Sequence, residues 1–105
     1  MDYLYGIKAP TLELSRAEIF SLTHLEFKLH DSSVRAGDYY LHESETFKEI
    51  IIQLNYDEMN EEWFEEDFKE YPFIVYWSFS SAESAAAITE VLLTSKMISF
   101  LRKKY

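Results

Sequence analysis

The sequence predicts an α+β protein, a largely antiparallel sheet with helices packed on one face, ferredoxin-like with additions. Three observations lead there. Five stretches alternate apolar with polar residues or concentrate β-branched and aromatic ones, two Ser-x-x-Glu boxes open helical runs, and only Gly6, Gly37, Pro10 and Pro72 punctuate the chain. With no repeat or linker among 105 residues, 1–105 reads as a single globular domain.

"YLYGIKA" (3–9) reads as a first strand that Pro10 ends. Ser15 as N-cap with Glu18 reaching back fits a capping box, and the helix it starts runs to Thr23. "LEFKLHD" then alternates Leu25, Phe27 and Leu29 with Glu26, Lys28 and His30, a strand with one wet face. "DSSVRAGDYY" is turn-rich, and Gly37 supplies the backbone freedom a hairpin needs. "DYYLHE" (38–43) and "TFKEIIIQLNY" (46–56) read as strands, the run Ile50, Ile51, Ile52 suiting a central one.

Phe64, Phe68 and Tyr71 fall at i, i+4 and i+7, so the segment before Pro72 reads as an amphipathic helix. "FIVYWSF" (73–79) is the strongest strand by residue type. "SSAE" (80–83) repeats the capping signature and opens a helix through Leu93, with Ala85, Ile88 and Leu92 on one side. Nothing in "SKMISFLRKKY" forces a break, so it reads as a continuation of that helix; an edge strand over Lys96–Arg102 is the alternative.

Charge is the most informative feature. The net charge is -9, and residues 57–70 hold eight acids against Lys69. On a helix, pairs such as Glu58/Glu62 and Glu62/Glu66 repel by a few tenths of a kcal/mol each. The macrodipole returns roughly 0.3–1 kcal/mol for each acid in the first turns. The two effects are comparable, so stability neither demands nor forbids the cluster. A solvated outer face accounts for it, and so does a binding surface. In the second reading Asp57, Glu58, Glu61, Glu62, Glu65, Glu66 and Glu70 steer a basic protein partner toward Trp63 at the rim.

Composition also excludes function classes. An acidic chain repels phosphate backbones, so direct nucleic-acid binding is not expected. The absence of cysteine removes disulfide and thiolate chemistry. No basic stretch followed by an apolar run opens the sequence, and no run approaches the roughly 18 residues of a membrane span, so a cytoplasmic protein away from membranes is expected. Nucleophile elbows and phosphate loops need glycines that two positions cannot supply. Met59 and Glu62 stand where a calcium loop beginning at Asp57 would want Asp or Asn and Gly. No catalytic residue, metal or cofactor is assigned.

Two rival readings stay open. Met97, Phe100 and Leu101, with Leu93, would leave the last helix apolar on every side, which suits a homodimer interface in a structural or regulatory module. His24, His30 and His42 with nearby carboxylates could serve a small enzyme or metal protein, although their spacing matches no zinc or hydrolase signature.

Taken together, the acidic "DEMNEEWFEED", the aromatic strand "YPFIVYWSF" and the missing catalytic motifs give the chain its character. In these it resembles the small acidic immunity proteins of bacterial polymorphic-toxin and contact-dependent inhibition systems. That resemblance implies a cytoplasmic, non-enzymatic toxin inhibitor, which binds a basic toxin domain, often a nuclease, and blocks its active site or substrate surface.

Overall fold

Strand β1 (Asp2–Ile7) sends Tyr3, Tyr5 and Ile7 to one side and Asp2, Leu4 and Gly6 to the other. The same alternation runs through β4 (Glu49–Leu54) and β7 (Phe73–Ser78), whose Ile50, Ile52, Phe73, Val75 and Trp77 join the first side. Helices α1 (Leu12–Thr23) and α2 (Ala82–Leu92) cover that side and bury Ile19, Ala85 and Leu92 against it. The structure, a computed structural model, describes residues 1–104, the side chain of Lys104 excepted.

With β2 (Lys28–Ser32), β3 (Gly37–His42) and β8 (Ile98–Lys104) the sheet has six strands in the order β2-β3-β4-β7-β1-β8. Every neighbouring pair is antiparallel. β1-α1-β4 encloses β7, and β7-α2-β8 encloses β1, so two split βαβ units interleave in the ferredoxin-like manner. Two additions decorate this core. The β2–β3 hairpin extends the sheet beyond β4, and a small hairpin of β5 (Tyr56–Asp57) and β6 (Glu62–Trp63) is inserted between β4 and β7.

The structure corrects five local expectations. α1 starts a turn earlier than Ser15, because Thr11 caps it by accepting from the Leu14 amide at 3.1 Å, while Ser15 is buried and donates back to the Thr11 carbonyl. α2 is capped by Ser81, whose hydroxyl accepts from the Ser84 amide. The "LEFKLHD" strand begins only at Lys28, since His24 turns the chain out of α1 with φ 60°.

The tail is the fourth correction. It is a strand from Ile98, not a continuation of α2; Tyr105, which the helical reading included, lies outside the described residues. The helix stops at Leu93 because Thr94 donates to the Val91 carbonyl and Ser95 accepts from the Met97 amide. Ile98 then completes the helix-side core, and Phe100 lies on the same side, half-exposed, its ring centroid 5.4 Å from that of Tyr3 and 5.8 Å from that of Tyr5.

The fifth correction concerns the acidic segment, which is a hairpin followed by a short 3-10 turn (Glu66–Phe68) in place of a helix. Like-charge repulsion along a helix falls away when the acids are splayed on a turn. Trp63 packs against its cross-strand neighbour Tyr56, the rings tilted at 58° with centroids 4.9 Å apart, and this contact helps to hold the hairpin. The stripe of Phe64, Phe68 and Tyr71 is a property of spacing alone; no helix uses it.

Candidate functional site

The sheet face opposite the helices can be read in rows. Gly6, Ile74 and Gln53 share one row, Leu4, Tyr76 and Ile51 the next, and Asp2, Ser78 and Glu49 the last. The acidic segment covers the first row, where Tyr71 lies so close to Gly6 that a Cβ there would stand 2.5 Å from the ring. The other two rows floor a cleft of about 320 Å³ walled by Arg35 and Arg102.

Asn55 holds the acidic segment in place. Fully buried, its amide nitrogen donates to the carbonyls of Phe68 (3.0 Å) and Tyr71 (3.1 Å), and its oxygen accepts from the Glu65 amide (2.9 Å). Its backbone adds bonds to Phe64 and Pro72. One side chain thus satisfies several groups that a segment without regular structure leaves over. Asp57 does the same at the tip, accepting from the Met59 amide at 3.0 Å and the Asn60 side chain at 2.8 Å.

The second anchor is Glu65, whose side chain is only 12% exposed. Its carboxylate takes the Arg102 guanidinium on one oxygen and the Tyr76 hydroxyl, at 2.7 Å, on the other. A bulge in β8 makes the first contact: Tyr5 faces Phe100 but Leu4 faces Arg102, so Leu101 is an extra residue. Strict alternation would send Arg102 to the helix side; the bulge re-aims it onto the open face. Burial, together with the hydrogen bond that the hydroxyl donates to the Glu65 carboxylate, pushes the Tyr76 hydroxyl well above the ordinary phenol range. Arg35 is tied down by Gln53, to whose side-chain oxygen it donates at 3.0 Å.

The predicted surface residues therefore divide. Asp57 and Glu65 are internal braces. Glu58, Glu61, Glu62, Glu66 and Glu70 are exposed, as is Asp67, and none of these six has a cation within ion-pair distance among the described residues. Trp63 is half-buried beside Val34, which is 78% exposed, and Met59 at the tip is 82% exposed. Sequence reasoning missed Asn55, Arg102, Tyr76, Met59 and Val34. One signal was available: Gln53 and Asn55 interrupt an apolar central strand with polar residues on one face, which demands partners.

Of the four homodimer residues only Leu93 and Phe100 share a surface, an exposed apolar groove beside β8. Leu93 caps α2, Met97 packs on the core, Phe100 faces the helices and Leu101 lies on the opposite face against Gly6. Nor do the histidines assemble. His24 ends α1, His30 stacks on Tyr39, and His42 bonds the Glu26 carbonyl at 2.7 Å from a strand position whose side chain points to the other face from His30. No group of three His, Cys, Asp or Glu with metal-binding geometry occurs among the described residues. No helix among them is long and apolar enough to cross a membrane.

No protein-family model matches the sequence, and neither the curated proteins nor the solved structures include a match.

Proposed function

We propose that this chain is a non-enzymatic immunity protein, which binds a basic toxin domain, a nuclease by the best chemical match, through its acidic hairpin and thereby blocks it. The observation that carries this reading is the set of six exposed carboxylates, Glu58, Glu61, Glu62, Glu66, Asp67 and Glu70, on a braced protrusion with no cation in ion-pair reach among the described residues. Such a surface draws in positive charge and speeds association. Carboxylates held on a braced scaffold also suit a surface built to take phosphates. Met59 and Val34 add apolar contact within the charged ring, the composition of a binding hot spot. A nuclease threatens the cell from inside, so this reading places the protein in the cytoplasm.

The test uses the protein as bait for its host's lysate at low salt, beside a variant carrying Glu58→Gln, Glu61→Gln, Glu62→Gln and Glu66→Gln. The expected result is one basic protein, released by salt, lost with the variant, and whose nuclease activity the unaltered protein stops. Equal retention by the variant, or a captured protein whose activity is untouched, would overturn the reading.

A further inference from the structure

β8 ends the sheet, and its outer side meets no other strand among the described residues. The Lys8 amide donates to the Met97 carbonyl at 2.9 Å, so hydrogen-bonded pairs between β1 and β8 fall at Lys8/Met97 and Gly6/Ser99. On the other side of β1 the Phe79 amide bonds the Met1 carbonyl, which fixes the same alternation independently. The N–H and C=O groups of Ile98 and Phe100 therefore point away from β1, where no strand among the described residues meets them.

An apolar groove of about 460 Å³ runs beside this edge on the helix side, lined by Tyr3, Ala86, Thr89, Leu93 and Phe100, with Glu90 and Lys103 at its rim. Leu93 is 48% and Phe100 39% exposed there. A strand added to β8 would exchange backbone bonds with Ile98 and Phe100 and drop alternate side chains into the groove.

Charge selects the occupant. From Val91 to the end the sequence has no acid and carries Lys96, Arg102, Lys103 and Lys104 in a chain of net charge -9. A second copy of β8 running antiparallel brings Lys96 of one chain toward the Arg102–Lys104 end of the other, and a parallel copy aligns the basic ends; both oppose like charges across the ladder. The geometry points to an extended segment of a different protein, apolar at alternate residues and acidic at its ends, that adds to β8 as a seventh strand. This edge and the exposed acids of the hairpin share no residue.

The experiment titrates isotope-labelled protein with two blocked heptapeptides, Glu-Val-Thr-Val-Thr-Val-Glu and its counterpart with lysine at both ends, and follows amide shifts and exchange. The acidic peptide is expected to shift and protect the Ile98 and Phe100 amides and to bind several-fold more tightly than the basic one. Leu93→Glu, at an exposed helix end, should abolish that binding while the rest of the spectrum stays in place. No response at those two amides, or equal binding of both peptides, overturns the proposal. So does protection that rises with the protein's own concentration alongside a doubled mass, since the occupant is then a second copy.

Discussion

Arg102 and Glu65, 37 residues apart, meet on the open face of the sheet because a bulge turns one strand residue over. The carboxylate is nearly enclosed and has only the Tyr76 hydroxyl besides. Removing the guanidinium leaves a largely desolvated anion short of a partner, a larger loss than an exposed ion pair gives. Arg102→Met, which keeps most of the side-chain stem, should destabilise the protein by about 1–3 kcal/mol in urea unfolding. Hydrogen exchange at the Phe64 and Glu65 amides should rise with it, because the hairpin loses one of its two anchors. A loss below about 0.5 kcal/mol would place the pair among the screened surface contacts.

Asn55 is the other anchor and should be the more sensitive of the two. Asn55→Ala takes the partner from the Glu65 amide and from the Tyr71 carbonyl, while the Phe68 carbonyl keeps the Tyr71 amide. At roughly 1–3 kcal/mol for each unsatisfied group, a loss of about 2 kcal/mol or more is expected. Asn55→Asp should be no better, since it sets a carboxylate against carbonyls that need a donor. Chemical unfolding of the two variants checks both statements, and an aspartate variant as stable as the natural protein would contradict the bonding pattern.

The fold was legible where one element's residues suffice to define it. β7, β4 and β3 follow from β-branched and aromatic content, and both helices from their capping boxes, displaced by one to four residues because Thr11 and Ser81 compete with Ser15 and Ser80 for the same role. The tail was not legible from its own residues. Ile98–Lys104 suits a helix or a strand by composition, and what decides is the free side of β1, a neighbour more than ninety residues away. The acidic segment failed for a related reason. Its helical spacing is real, but Asn55 and Arg102, both outside it, set its path. Of the surface, the charge was legible and its division was not: exposed Glu58 and bracing Glu65 are indistinguishable until the bulge in β8 is known.

Gly6 and Tyr71 offer a test of how closely the acidic segment sits on the sheet. Gly6 is within β1 with no positive φ, so alanine suits its backbone; the obstacle is the Tyr71 ring, 2.5 Å from where a Cβ would lie. Tyr71 also holds Lys8, whose ammonium lies 5.0 Å from the ring centre. Gly6→Ala should cost about 1–3 kcal/mol as the ring is pushed off. Tyr71→Ala removes both the obstacle and a cover, so the double variant should be more stable than the sum of the two losses predicts, by about 0.5 kcal/mol or more. Strict additivity in urea unfolding would show that the two residues do not touch.

Tyr5 sets a limit at high pH. It is fully buried in the helix-side core, its hydroxyl 2.6 Å from the Thr89 hydroxyl. Burial pushes its pKa up to about 12 from 10; the Thr89 hydrogen bond works the other way and is the smaller effect. The folded state thus binds this proton more tightly than the unfolded chain does. The stability it contributes is complete below pH 10 and is lost as pH rises toward 12. At about 1.4 kcal/mol for each pH unit in that window, the loss is of order 2–3 kcal/mol. Tyr5→Phe cannot ionise there. It should lose about 1 kcal/mol at pH 7, where the Thr89 bond is missing, yet fall less steeply between pH 10 and 12. Tyr76 is raised as well, so the variant still declines at high pH. Unfolding free energies at pH 8, 10 and 11.5 decide the matter: parallel declines for the two proteins would mean that water reaches the Tyr5 hydroxyl in the folded state.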